Sequence, residues 1–219
     1  MLLQLALDAP EHFAVLAQVA DLVDIVEVGT PLLKRFGVSA IATARELTDQ
    51  VPVLADTKTV DGGALEAHLV FGAGAMFMTV LSSASSATHN AVARVAAEYG
   101  GIVVLDTITE SGKHSLLPDD FEFPDGIAYV AVHSPTDVRE SGQHSSHHIA
   151  AVAQMHERGL RVSLAGGIGP DSMSDVIGVA PEIVVVGSAI TSAANPREVT
   201  QWIRSALINP GRGWPWDSN

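Results

Sequence analysis

The chain has 219 residues, a formal net charge of -13, a hydrophobic fraction of 47% and no cysteine. This length suffices for one well-buried domain and is too short for two α/β domains that each have their own core. The missing cysteine excludes disulfides, zinc–thiolate sites and a thiol nucleophile, and the negative charge, without any cluster of Lys or Arg, argues against binding to nucleic acid or to an anionic membrane.

Short apolar segments alternate along the chain with Ala-rich amphipathic segments, which is the pattern of repeated βα units. We predict strands at Leu3–Leu7, Ile25–Val28, Val53–Ala55, Met76–Leu81, Ile102–Leu105, Ala128–Val132, Val162–Ala165 and Ile183–Val186. Eight such strands in a domain of this size predict an α/β fold, a single (β/α)8 TIM barrel.

Helical periodicity occupies most of the segments between these strands. It predicts helices at Pro10–Ala20, Leu32–Leu47, Gly63–Phe71, Ser86–Tyr99, His147–Arg158, Pro170–Val176 and Pro196–Leu207. The segment Glu110–Gly126 contains Pro118 and Pro124, so we predict that the fifth helix is short or missing.

The two ends of the chain carry no sign of a membrane segment. The first residues show neither a basic region nor a cleavage site, and no apolar run approaches the length of a membrane span, so we expect a soluble cytoplasmic protein. We assign residues 1–208 to the catalytic barrel and residues 209–219, which are rich in Gly and Pro, to a non-helical tail.

The residues that follow the third predicted strand give the strongest functional signal. Asp56, Lys58 and Asp61 come directly after the apolar Val53–Ala55, and strand-exit loops carry the chemistry in α/β proteins. An ammonium between two carboxylates should have a raised pKa, which argues against a Schiff-base lysine. The pattern favours a fixed positive charge or proton donor beside an anionic intermediate, with a carboxylate free to hold a divalent metal. A solvated charge run is the alternative.

Polar or glycine residues also lie at the ends of five other predicted strands: Asp8, Asp106, His133, Gly166 with Gly167, and Gly187 with Ser188. Glu27 lies within the second predicted strand, just ahead of Gly29 and Thr30. Because polar side chains on apolar strands are costly unless paired, their recurrence at one end predicts a site at the carboxyl face of the barrel. Alternatives remain: Asp8 could cap the helix near Pro10, and His133 could be a satisfied core histidine. His144–His148 could bind a transition metal, although a polar loop is favoured.

Several motifs together resemble a known family. They are Leu5-Ala6-Leu7-Asp8, Val26-Glu27-Val28-Gly29-Thr30, Asp56-Thr57-Lys58 with Asp61, Val132-His133, Ala165-Gly166-Gly167-Ile168 and Val186-Gly187-Ser188. In this order they are similar to the orotidine 5'-monophosphate decarboxylase suprafamily. Within it they most resemble the 3-hexulose-6-phosphate synthases, with the 3-keto-L-gulonate-6-phosphate decarboxylases as close relatives.

The resemblance implies a role for each strand-end residue. Lys58, His133, Asp61 and Asp8 would be catalytic, Glu27 and Asp56 would bind Mg²⁺, and Asp8, Asp106, Gly166, Gly167, Gly187 and Ser188 would bind substrate. Lys58 would stabilise an enediolate and His133 would be its acid and base. Asp61 would reach across a homodimer interface into the neighbouring site. The four residues after strands seven and eight would hold the substrate phosphate.

The implied reaction is a Mg²⁺-dependent aldol addition of formaldehyde to a phosphorylated ketose, ribulose 5-phosphate, through an enediolate, and its reverse. Decarboxylation of a 3-keto sugar-acid 6-phosphate is the alternative within the family. It is disfavoured because Asp106, Ser134–Thr136 and Ser188 stand where the decarboxylases tend to carry Glu and Arg, and fewer cations make a poorer site for a sugar acid. A non-catalytic sugar-phosphate-binding barrel is an alternative of another class.

Overall fold

A computed structural model describes residues 1–48, 50–108, 117, 121–133 and 146–209. Eight parallel strands close into a barrel in chain order, as predicted. They are β1 Leu2–Leu7, β2 Ile25–Val28, β3 Val53–Thr59, β4 Phe77–Leu81, β5 Ile102–Asp106, β6 Ile127–His133, β7 Val162–Ala165 and β8 Ile183–Val186. The first and last strands pair through Leu2–Leu5 and Ile183–Val186, which completes the closure.

Helices follow the strands on the outside of the barrel. They are α1 His12–Val19, α2 Thr30–Phe36, α3 Ser39–Thr48, α4 Gly63–Gly72, α5 Ser86–Tyr99, α6 Ser146–Glu157, α7 Met173–Val179, α8 Ser188–Thr191 and α9 Pro196–Ile208, with single 3₁₀ turns at Ala20–Leu22 and Pro170–Ser172. Nowhere in the described part of the chain is a helix both long and apolar enough to cross a membrane.

The prediction of one continuous helix over Leu32–Leu47 was wrong. The chain breaks at Gly37, whose φ of 61° and ψ of -153° form a combination that is essentially restricted to glycine. The Gly37 N–H bonds to the carbonyl of Leu33 and ends α2, and α3 begins at Ser39.

Three predictions fall wholly or partly outside the described residues. Most of Glu110–Gly126, where a short or missing fifth helix was predicted, is among them, and residues 107–108, 117 and 121–126, which are described, contain no helix. The tail from residue 210 onward and the side chains of His144–His148 also lie outside the description.

An apolar plug fills the interior of the barrel and supports the layer above it. Its buried members are Ile25, Leu54, Phe77, Val104, Ile183 and Val185. Side chains two positions apart on a strand point to the same face, so the residues that come next inside the barrel are Glu27, Asp56, Thr79, Asp106 and, beyond Ala131, His133. The sequence thus changes from apolar to polar at one height, at the carboxyl ends of five neighbouring strands.

Candidate active site

A bulge at the end of β3 shapes the centre of the site. β3 has three residues, Asp56–Lys58, where β4 has only Thr79, because the pairing of the two strands shifts between Ala55 and Thr59. Lys58 has a φ of 48°, a left-handed conformation that costs a residue with a side chain roughly 1–2 kcal/mol. Strain of this kind persists only where the surroundings hold it, and it is concentrated at functional sites.

The ammonium of Lys58 lies between two carboxylates. Its Nζ is 3.0 and 2.9 Å from the two oxygens of Asp56 and 2.8 Å from Oδ2 of Asp106. Burial alone would lower the pKa of Lys58, but the charges of Asp56 and Asp106 and their hydrogen bonds raise it above its ordinary value. The predicted raised pKa is therefore confirmed, whereas the identity of the second carboxylate was wrong: it is Asp106 on β5, and Asp61 is exposed.

Two threonine hydroxyls fix the Asp56 carboxylate. Thr79 Oγ1 donates to Oδ1 and Thr30 Oγ1 donates to Oδ2, each at 2.9 Å, and Thr30 also reaches the Asp56 carbonyl at 2.7 Å. Burial would raise the pKa of Asp56, but the charge and hydrogen bonds of Lys58, together with both hydroxyls, lower it. Asp56 is thus held ionised in a fixed orientation.

The ionised form of Glu27 is strongly disfavoured by its surroundings. Burial and the nearby charge of Asp56 raise its pKa to about 8, and the side-chain amide of Gln4 donates to its Oε2 at 2.5 Å. Among the described residues, the buried Oε1 of Gln4 has no hydrogen-bond partner. A divalent cation would stabilise this arrangement, because it would offset the repulsion between the two partly buried carboxylates and could accept a contact from the unsatisfied amide oxygen.

The donor set fits Mg²⁺, which needs oxygen ligands and commonly takes only one or two protein carboxylates, with water and substrate completing its shell. Within the described residues, Glu27 and Asp56 belong to no cluster of three or more His, Asp or Glu that could hold a metal. The four hydrogen bonds to Asp56 occupy both of its oxygens. A cation bound at Asp56 would therefore have to take the place of one of these four hydrogen bonds.

Asp8 occupies the mouth of the barrel at the end of β1. Its pKa is raised by burial and by Asp56, and is partly lowered again by His12, Lys58 and His133, so it lies within electrostatic reach of these groups. It does not cap α1, because the residue before that helix is Glu11 and no side-chain cap is present. A Cβ on Gly29 would lie 2.1 Å from Asp8 Oδ1, so the glycine after β2 provides the space for this carboxylate.

The remaining predicted residues lie at the ends of β6, β7 and β8. His133 is half-buried as the last residue of β6. Gly166 and Gly167 turn away from β7 with φ of 107° and 69°, and Gly187 and Ser188 lead from β8 into α8. The structure therefore brings Asp8, Glu27, Asp56, Lys58, Asp106 and His133 to one end of the barrel, with the four phosphate candidates on its rim, while the exposed Asp61 takes no part in the Lys58 ion pairs.

The sequence reasoning assigned no role to Gln4, Thr30 or Thr79. All three contact a predicted acidic residue through a side-chain hydrogen bond. Gln4 and Thr79 each stand alone as a polar residue inside an otherwise apolar strand. Because such a residue is expensive unless paired, this isolation was the available signal.

Comparison with known proteins places the chain among related barrels. The family model described as Orotidine 5'-phosphate decarboxylase / HUMPS family matches residues 1–203. 3-hexulose-6-phosphate synthase from Bacillus subtilis is 30% identical over 211 residues, covering 95% of this chain and 99% of the relative. Its counterpart from Staphylococcus epidermidis is 32% identical over 210 residues, covering 94% and 99%.

Solved structures agree with this relationship. 3-hexulose-6-phosphate synthase from Salmonella typhimurium superposes with a TM-score of 0.82 at 36% identity, covering 95% of this chain and 99% of that one. A structure of KGPDC from Streptococcus mutans has a TM-score of 0.82 at 25% identity, covering 94% and 97%.

Proposed function

The chain belongs to the Orotidine 5'-phosphate decarboxylase / HUMPS family, and from this membership we propose that it condenses formaldehyde with ribulose 5-phosphate to a hexulose 6-phosphate and catalyses the reverse cleavage. Its relatives identify it as an enzyme of the aldehyde-lyase type. The observation that carries the proposal is the Lys58 ammonium held between Asp56 and Asp106. Residues 1–208 supply the catalytic domain.

The reaction begins with loss of a proton from the carbon next to the ketone. His133 takes this proton, and the charged Lys58 stabilises the enediolate that forms, because it carries its positive charge before the negative charge develops. The enediolate carbon then attacks formaldehyde, and the new alkoxide receives a proton from His133. Lys58 is suited to a fixed charge because its raised pKa keeps it protonated throughout.

Glu27 and Asp56 would hold Mg²⁺ at this end of the barrel. A bound divalent cation supplies Lewis-acid stabilisation of negative charge on the substrate oxygens. The two carboxylates differ in what they contribute: Asp56 is ionised and fixed by Thr30 and Thr79, whereas Glu27 must lose a proton, because its pKa without metal is about 8.

The hydroxyls and the phosphate of the substrate bind to two carboxylates and to the glycine turns. Asp8 and Asp106 accept hydrogen bonds from sugar hydroxyls. The backbone amides of Gly166, Gly167, Gly187 and Ser188 hold the phosphate. Support for this comes from their position after β7 and β8, which is where phosphate sites recur in barrels of this type.

The surface around Asp61 supports the proposal of a homodimer. Val60, Leu65 and Leu69 are large apolar side chains near Asp61 in sequence, with exposed fractions of 54%, 69% and 53%, and exposed apolar residues that cluster commonly mark a protein interface. Asp61 would then complete the site of the partner subunit. Mixing Asp61→Ala with Lys58→Ala protein should restore some activity in hybrid dimers, and no recovery under verified subunit exchange would contradict the shared site.

The test of the reaction is consumption of formaldehyde in the presence of ribulose 5-phosphate and Mg²⁺. Consumption that disappears with EDTA and in Lys58→Ala would support the proposed function. A folded, Mg²⁺-loaded protein that leaves formaldehyde untouched would contradict it. The decarboxylase substrate, a 3-keto sugar-acid 6-phosphate, would be tried next, because the likeness to KGPDC makes that reaction the second candidate.

A further inference from the structure

We propose that Thr79 is a positioning residue for the reaction: its hydroxyl replaces the strand partner that β3 lacks at the bulge and thereby holds both Lys58 and Asp56 in place. The kinetic part of this inference rests on the proposed function. Its structural part concerns the chain alone and can be tested without turnover.

Thr79 is the one residue of β4 that lies opposite the three bulge residues of β3 and it forms a hydrogen bond with each of them. Its Oγ1 accepts the backbone N–H of Lys58 at 2.9 Å and donates to Asp56 Oδ1 at 2.9 Å. Its carbonyl accepts the hydroxyl of Thr57 at 2.6 Å. Only 5% of Thr79 is exposed, so water cannot readily replace these contacts. One residue of β4 therefore satisfies polar groups of Asp56, Thr57 and Lys58.

The direction of these hydrogen bonds is fixed by the number of protons. A hydroxyl has one proton, and an ionised Asp56 can only accept, so the Thr79 proton goes to Asp56. The lone pairs of the same oxygen are left for the Lys58 N–H. A hydroxyl that accepts one bond donates the next more strongly, so the two contacts reinforce each other across the bulge.

The contact with Lys58 matters because its backbone is strained. Lys58 keeps a φ of 48° only while neighbouring bonds hold it there, and among the described residues the Thr79 hydroxyl is the recorded acceptor for its N–H. Without that acceptor the residue can relax toward a common backbone conformation. Its Nζ, now 2.8 Å from Asp106, would then leave the position between the two carboxylates.

The role of Thr79 differs from that of Thr30. Thr30 bonds to the other oxygen of Asp56 and to its carbonyl, so it orients the carboxylate without touching Lys58. Loss of the Thr79 hydroxyl should therefore weaken the site without abolishing it, because Thr30 still holds Asp56. No contact recorded for Thr79 among the described residues reaches the glycine turns that would bind phosphate.

Thr79→Val tests the proposal because it keeps the shape of the side chain and removes the hydroxyl. We expect kcat to fall on the order of 10- to 100-fold, the usual effect of losing a hydrogen-bond partner behind a metal ligand or catalytic group, while KM for ribulose 5-phosphate stays within about threefold. Thr79→Ser should retain kcat within about threefold. Thr200→Val is the matched control, because that buried hydroxyl bonds to the Pro196 carbonyl in α9, away from the site.

A second measurement is independent of turnover: hydrogen exchange of the Lys58 amide, followed by NMR in the substrate-free protein. Exchange at least tenfold faster in Thr79→Val, and unchanged in Thr79→Ser and Thr200→Val, is the expected result. Unchanged exchange in Thr79→Val, a kcat equal to that of the parent, or equal damage by Ser and Val would overturn the proposal. If Thr79→Val does not fold, Thr79→Ala serves in its place. A parent protein that consumes no formaldehyde would remove the proposed function, and the exchange data would still decide whether Thr79 holds Lys58.

Discussion

Replacing Lys58 by Met should cost stability as well as activity. Met keeps an unbranched side chain, one heavy atom shorter, and removes the only cation within 3.0 Å of the Asp56 and Asp106 carboxylates that the described residues provide. Those carboxylate side chains are only 10% and 2% exposed. Breaking a buried ion pair from one side costs about 3–5 kcal/mol. Because the Lys58 side chain is 25% exposed and water can partly replace it, we expect about 2–4 kcal/mol at pH 8.

Lys58→Met should also lose catalytic activity. Removal of a fixed charge that stabilises an oxyanion commonly costs about 10²- to 10³-fold in kcat, so formaldehyde consumption by Lys58→Met should drop by at least that factor at a temperature where the variant is still folded. Urea unfolding monitored by circular dichroism gives the stability, and the formaldehyde assay on the same preparation gives the activity.

A second substitution separates charge from packing. Asp106→Asn in the Lys58→Met background removes one uncompensated carboxylate without changing the shape of the side chain, so it should recover about 1 kcal/mol or more of the lost stability. Arg94→Met is the control, because its pair with Glu98 is exposed on both sides and should contribute less than about 0.5 kcal/mol. A Lys58→Met variant as stable as the parent, or a double variant less stable than the single one, would refute the electrostatic account.

Three further predictions concern the carboxylates around Lys58. Glu27→Gln should stabilise the metal-free protein. The pKa of Glu27 is raised from 4.5 to about 8 on folding, so the parent loses stability as pH rises through that range, by up to about 3 kcal/mol at pH 7. Urea unfolding in EDTA should show that the variant loses less stability than the parent over the same range. Mg²⁺ should raise the melting temperature of the parent, since a ligand that binds only the folded state stabilises it, and should have little effect on Glu27→Gln; equal shifts would argue against Glu27 as a ligand. Gly29→Ala should lower kcat about tenfold or more, because its Cβ would lie 2.1 Å from Asp8 Oδ1, whereas Gly178→Ala, with nothing within 4 Å, should leave kcat unchanged.

The sequence predicted the barrel well because each strand contains a short, mainly apolar segment and these segments alternate with helical ones. The bounds of β2, β7 and β8 agree with the prediction. β3 was predicted to end at Ala55 and instead runs to Thr59, because the charged residues that read as a loop are carried on the strand as a bulge. Polar residues within a strand are indistinguishable from a loop when only local composition is considered.

The sequence predicted where the candidate site residues lie and missed some of the contacts between them. The rule that chemistry collects at the carboxyl ends of barrel strands placed Asp8, Glu27, Lys58 and His133 at one end of the barrel, which is where the structure has them; their roles stay predictions. It could not say that Lys58 pairs with Asp106, because that contact joins residues 48 positions apart. Proximity in sequence favoured Asp61 instead.

The pairing of Lys58 with Asp106 bears on the charge balance of the site. Asp8, Glu27, Asp56 and Asp106 bring four carboxylates to one end of the barrel, and Lys58 is the cation that contacts two of them. With all four ionised, the negative charge would exceed the positive charge of Lys58 by three before any phosphorylated substrate arrives. Burial is the main cause of the raised pKa values of Asp8 and Glu27, and the charge of Asp56 raises both further. A divalent cation at Glu27 and Asp56 would remove most of this excess and allow Glu27 to ionise. Under the proposed function, these carboxylates would hold a cation that acts with Lys58 to stabilise the negative charge that develops on the substrate during the reaction.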